Sequence, residues 1–209
     1  MVRALPLPGV ELPAMFGEID IYLFDQLLRG RFDQRPRVLD AGCGDGRNLM
    51  YLLRRGFTCF GIDHDPAAIE RVRALAVQLA PDLPRENFRT GRIDHLPWDD
   101  ASMDAVVCSA VLHFASDVVH FDRMLHELWR VLACDGMLFA RLASNIGLED
   151  AVGAGGTRVR LPDGSDRFVV DEAMLLERTH RLGGQLLDPI KTTNVQQQRC
   201  MTTWCVWKA

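Results

Sequence analysis

Val38-Leu39-Asp40-Ala41-Gly42-Cys43-Gly44-Asp45-Gly46-Arg47-Asn48 is the stretch whose reading decides the fold. Two apolar residues and an aspartate end a buried strand, and three glycines then alternate through a tight turn. An amphipathic segment, Asn48 to Arg55, follows at once. A turn without Cβ atoms lets backbone press against a ligand, and the N–H groups at the start of the following helix face whatever is bound.

Outward from this turn, strands and helices alternate. Upstream, residues 1–14 hold three prolines and read as an irregular arm, and Gly17 to Arg29 has the apolar spacing of a helix ending near Gly30. Downstream, Phe57 to Ile62 is an apolar strand ending in Asp63, and Asp65-Pro66 opens a helix with an aspartate cap and a proline in its first turn. A short strand near Phe88 precedes a polar stretch, Gly91 to Asp104. Ala105 to Cys108 is a continuous apolar run, as in a strand covered on both faces. Asp117 to Leu132 is an amphipathic helix, and Met137 to Leu142 the next strand. Ser144 to Arg167 holds five glycines and reads as a loop or hairpin insertion, extending to residue 170. Asp171 to Leu182 is a last helix; Leu186 to Thr192 and Met201 to Trp207 are a final pair of strands. This order implies a parallel sheet with helices on both sides.

Size and composition fit one soluble domain spanning 1–209: the chain is 48% hydrophobic and 25% charged, with a net charge of −4. No basic run suggests nucleic acid, no apolar stretch is long enough to span a membrane, and no leader pattern opens the chain. Cys43, Cys59, Cys108, Cys134, Cys200 and Cys205 include no C-x-x-C pair. They read as reduced thiols of a cytoplasmic protein, with no metal site expected.

Ligands of open parallel sheets bind beyond the carboxyl ends of the strands. The glycine turn lies at one such end and Asp63 at the next, seventeen residues after Gly46. A carboxylate there accepts from both hydroxyls of a ribose. The G-x-G-x-G spacing is one residue short of the dinucleotide fingerprint. That counts against a second reading, an NAD-dependent oxidoreductase, which also lacks a recognisable hydride-transfer constellation.

The chain resembles the class I SAM-dependent methyltransferases (SAM, S-adenosylmethionine). Val38 to Gly46 resembles the family's first motif and Gly61-Ile62-Asp63 the second. Gly91 to Trp98 resembles the G-D-x-x-x-L-P-F loop, and "AVVCSAVLHF" (105–114) the fourth-strand motif. Glu127 to Leu142 resembles the helix and strand that follow. The Gly46-Arg47-Asn48 ending is similar to that of tellurite-resistance-type and thiopurine-type small-molecule members. The resemblance implies a Rossmann-like, doubly wound, mostly parallel seven-stranded sheet with an antiparallel last strand. It also implies SAM as cofactor, a small-molecule methyl acceptor, and a monomer or homodimer.

Carried over residue by residue, Asp40, Gly42 and Cys43 lie by the methionine part of SAM, and Gly44 and Gly46 allow close approach. Asp63 holds the ribose, His64 flanks the adenine, Ile93 supplies an N–H and an apolar wall, and Ser109 lies near the methionine amine. Where the family has an acid after Gly91 this chain has Arg92, which only donates; Asp94 then takes over the adenine amine, or the contact is missing. A non-catalytic SAM-binding protein therefore stands as an alternative. His113 is the candidate base, against a structural, hydrogen-bonded role; His120 is expected on a helix surface. Phe16, Tyr22, Phe114 and Arg141 are the candidate acceptor contacts, with helix packing the alternative for Phe16 and Tyr22 and an ion pair that for Arg141. Cys108-Ser109-Ala110-Val111 lacks the acidic or Asn-Pro-Pro-aromatic motif of nucleic-acid adenine methyltransferases.

Overall fold

Asp20 sets the first sizeable helix in register. Its Oδ1 accepts the Tyr22 N–H at 2.9 Å, capping α2 (Ile21–Leu28), which follows one turn of α1 (Leu12–Phe16). The computed structural model describes residues 12–209, so most of the expected N-terminal arm lies outside the described residues. Then come β1 (Arg37–Ala41), α3 (Met50–Arg54), β2 (Thr58–Asp63), α4 (Pro66–Leu79), β3 (Phe88–Thr90), β4 (Met103–Ser109), α5 (Val118–Val131) and β5 (Leu132–Ser144). The cap read from the sequence is present, Asp65 accepting from Ala67 N–H ahead of Pro66, and Asp117 also caps α5 by accepting from His120 N–H. The insertion contains α6 (Glu149–Val152) and a hairpin, β6 (Thr157–Arg160) with β7 (Asp166–Val169). α7 (Glu172–Arg181), β8 (Gly184–Leu186), β9 (Lys191–Val195) and β10 (Arg199–Lys208) complete the fold.

Among the described residues the main sheet runs β3-β2-β1-β4-β5-β10-β8, with β9 also paired to β10. The first five strands are parallel, and β10 is antiparallel to β5 and to both β8 and β9. The sheet is Rossmann-like and mostly parallel, with seven positions filled by eight strands. β8 meets β10 near Val206 and β9 meets it near Thr202, so the two share one position end to end. The expected continuous strand 186–192 is thus corrected: Pro189 lies in the break, and it has no N–H to give a ladder.

Alternation along β1 divides the core between the two faces. Leu39 and Ala41 pack with Phe121, Leu125 and Leu128 of α5 on one side. Val38 packs with Leu52 of α3 and Ile69 and Val72 of α4 on the other. All six cysteines are free, and only Cys134 is exposed.

The segment after β3 is fastened to α5 by side chains of the "ELWR" stretch. Glu127 Oε2 accepts the Leu96 N–H at 2.8 Å, while Arg130 donates to the carbonyls of Leu96 (3.0 Å) and Trp98 (2.9 Å) and to Glu127 itself. This holds Ile93 and Asp94 at the carboxyl edge of the sheet.

Candidate functional site

A cavity of about 480 Å³ opens at the carboxyl ends of β1, β2 and β4, with Gly42, Asp63, His64, Ile93, Asp94 and Ser109 in its wall. Gly42 has φ +82°, and a Cβ there would sit 2.3 Å from Val111 Cγ2. Only glycine lets the turn pass beneath Val111. The Gly44 N–H donates to Asp63 Oδ2 at 2.9 Å, and the Asp65 N–H donates to Asp63 Oδ1 at 3.0 Å. The Asp63 carboxylate is therefore aimed by two backbone donors at the mouth of the cavity, where each oxygen retains acceptor capacity.

Two residues expected to contact the cofactor lie outside the cavity wall. Gly46 makes its close approach to α4, since a Cβ there would meet Val72 Cγ2 at 2.6 Å. The Cys43 side chain is buried in the core beside Gly61, and burial pushes its thiol pKa up. Neither lines the cavity, and neither does Gly44.

Asp40 is also outside the cavity wall, yet it carries the strongest electrostatic signal of the site. The residue is 1% exposed and both carboxylate oxygens lack a hydrogen-bond partner among the described residues. Burial raises its pKa to about 7, against the opposing pull of Arg47, with Asp63 adding repulsion. Two unmet acceptors beside Arg47 suit an ammonium or a bridging water. Arg47 is exposed but reaches back, its Nη2 3.4 Å from Ser109 Oγ.

Sequence reading missed Asp20 as part of this region. Its Oδ2 accepts from Ser109 Oγ (3.0 Å) and from Arg141 Nη1 (3.2 Å), and its own N–H donates to Asn48. One buried carboxylate thus ties the start of α2 to β4 and β5. An N-cap aspartate is visible in a sequence, but its partners 89 and 121 residues away are not.

On the opposite wall the Arg92 guanidinium donates to both oxygens of Asp94, at 3.0 and 3.1 Å. That hydrogen bonding holds the Asp94 pKa below the usual carboxylate range. Arg92 therefore orients the acid two residues on. His120 is a correction: it lines the cavity instead of a helix surface, with Nδ1 accepting the Ser116 N–H at 3.1 Å and Nε2 3.5 Å from Asp94. The Asp117 cap turns the first turn of α5 toward the cavity. His64 is at the cavity edge with its side chain largely exposed.

A second cavity of about 350 Å³ adjoins the first, with Ala110 and Phe114 in both walls. The hairpin β6–β7 closes it from one side. His113 faces this second cavity. It is buried, its Nδ1 accepts the Ala143 N–H at 3.3 Å, and burial lowers its pKa to about 4. With Nδ1 used as acceptor, the neutral ring carries its proton on Nε2 and has no free lone pair for a substrate proton. His113 is a donor, and the expected base is withdrawn. Arg141 lines the same cavity while paired to Asp20, its guanidinium 4.9 Å from the centre of the Tyr22 ring. The Tyr22 hydroxyl bonds Thr193. Phe16 stacks on Tyr51 and meets Phe24 edge-on, and it lines neither cavity. Phe114 is 53% exposed between the two.

Residues 39–140 match a family model described as a methyltransferase domain. A probable S-adenosylmethionine-dependent methyltransferase of Mycolicibacterium smegmatis is 32% identical over 147 residues, covering 68% of this chain and 53% of that protein. The ubiquinone biosynthesis O-methyltransferase of Methylocella silvestris is 35% identical over 118 residues, covering 54% and 44%. The chain spans about half the length of the curated relatives it matches. The 1,6-didemethyltoxoflavin-N1-methyltransferase of Burkholderia thailandensis, solved with S-adenosylhomocysteine (SAH), superposes with a TM-score of 0.65 at 18% identity, over 88% of this chain and 76% of that one. This last likeness is one of fold.

Proposed function

We propose, the chain belonging to the class I SAM-dependent methyltransferases through residues 39–140, that the first cavity binds SAM and that the protein methylates a small-molecule acceptor. One observation carries the reading: a carboxylate, Asp63, aimed into the cavity by the glycine turn through the Gly44 N–H. When bound, SAM supplies a methyl group on a sulfonium; an in-line nucleophile takes it, the S–C bonding pair returns to sulfur, and SAH is left. Asp63 accepts from the ribose hydroxyls. Ile93 walls the adenine, with Asp94, held by Arg92, facing its amine. Ser109 and the buried Asp40 serve the amino-acid end, whose ammonium meets Asp40's two unmet acceptors directly or through water.

The protein's part in the transfer is positioning. His113 has no lone pair to offer and takes no proton from the acceptor. Six free thiols, five of them buried, support a reducing, cytoplasmic setting.

Titrating the protein with SAH and with NAD separates this reading from the oxidoreductase one. Binding to SAH alone is expected; NAD binding without SAH binding would sink it.

Asp40 adds a pH signature. Its raised pKa means that the ligand-free protein loses stability as pH climbs from the ordinary carboxylate range toward about 7. A ligand ammonium favours the charged form, so binding near pH 6 releases close to one proton, and affinity rises with pH until about 7 and then levels. Calorimetry in buffers of different ionisation enthalpy measures that proton. Asp40→Asn should abolish the buffer dependence, and its absence in the unmodified protein would remove Asp40 from the ligand's surroundings.

A further inference from the structure

We propose that the second cavity is the acceptor site and that it takes a small aromatic molecule carrying a carboxylate. Only the word acceptor rests on the methyltransferase reading; the ligand class comes from the cavity itself.

Contiguity comes first. Ala110 and Phe114 line both cavities, so a molecule in the second has an atom's reach into the first. Charge comes second. Arg141, Arg167 and Arg199 line the second cavity against one acid, Asp163, which Arg199 meets at 3.5 Å. Arg141 gives only Nη1 to Asp20, and its Nε is buried without a partner among the described residues. A guanidinium has donors in a fixed fork and no acceptor, and this side chain is 20% exposed on the cavity wall, so the accessible donor that Asp20 does not take is open to an anion. A planar carboxylate matches that fork.

Shape comes third. Phe114, Leu161 and Met201 give the cavity apolar surface, and the Arg167 guanidinium lies 4.9 Å from the centre of the Phe114 ring. A flat ring is the body that such a wall covers best. The volume of about 350 Å³ stands at the small end for ligand pockets and suits a single ring system. The two cavities also differ in sign. With Asp94 paired to Arg92, the first keeps the carboxylate of Asp63, whereas the second sets three arginines against Asp163. The arrangement sends the carboxylate toward Arg141 and Arg199 and leaves the far edge of the ring facing Ala110.

The test titrates SAH-saturated protein with 4-hydroxybenzoate, 4-hydroxybenzamide and phenyl phosphate, using calorimetry and amide chemical shifts. The acid is expected to bind about tenfold or more tighter than the neutral amide, with shifts at Phe114 and on β6–β7. Arg199→Gln and Arg141→Gln should each weaken the acid about tenfold and leave the amide within about twofold. Arg199 is 53% exposed, so its variant carries the test if the Arg141 variant does not fold. Equal affinity for acid and amide, no binding by any of the three, or shifts elsewhere would overturn the proposal; tighter binding of phenyl phosphate would overturn its carboxylate half. SAH binding without the acid refutes the acceptor site alone. Acid binding without SAH refutes the methyltransferase reading and keeps the anion site.

Discussion

Replacing Asp63 by alanine is expected to weaken SAH binding by about 5- to 150-fold, equivalent to about 1–3 kcal/mol. The Asp63 carboxylate has two tasks. It presents acceptors to the cavity, and it satisfies the N–H groups of Gly44 and Asp65. Alanine removes the ligand's acceptors and leaves two backbone donors of the turn to find water. Both losses fall on the same cavity, so affinity should drop more than thermal stability. Asp63→Asn keeps one acceptor oxygen and should fall between. Calorimetric dissociation constants for the three proteins decide it, and an unchanged constant for the alanine variant would mean that the ribose lies elsewhere.

Gly42→Ala should destabilise the protein strongly. A non-glycine residue at φ +82° costs about 1–2 kcal/mol. Forcing a Cβ to within 2.3 Å of Val111 Cγ2 adds about 1–3 kcal/mol of overpacking. The sum, about 2–5 kcal/mol, corresponds to about 4–20 °C in Tm for a protein of this size. The two causes are separable. Val111→Ala in the same background opens the space and should recover the packing share, while the backbone share persists. If the double variant melts no higher than Gly42→Ala alone, the clash with Val111 is not the cause.

Both predictions concern residues that local rules exposed. A glycine alternation after an apolar strand, an acid at the end of the next strand, and Asp65 ahead of Pro66 are statements about near neighbours, and the fold confirms each of them. What escaped depends on distance along the chain. His113 reads as a base because it follows β4, but its role is decided by the Ala143 N–H, thirty residues on. His120 reads as surface because its helix is amphipathic; the Asp117 cap and the Ser116 N–H turn it inward. Gly46 reads as ligand contact, yet its tight neighbour is Val72 on the following helix. The cationic second cavity is assembled from β5, the β6–β7 hairpin and the start of β10, three regions with no shared pattern.

The β6–β7 hairpin is a two-stranded sheet of its own, and the bridge from Ser144 to Val170 joins its far end to the main one. The glycine turn and Asp63 end β1 and β2, two strands that have parallel neighbours on both sides. The hairpin hangs from that frame through the Ser144–Val170 bridge and walls the second cavity from one side. Exchanging the hairpin would reshape one wall of the second cavity while Arg141 and Arg199 stay where the main sheet holds them.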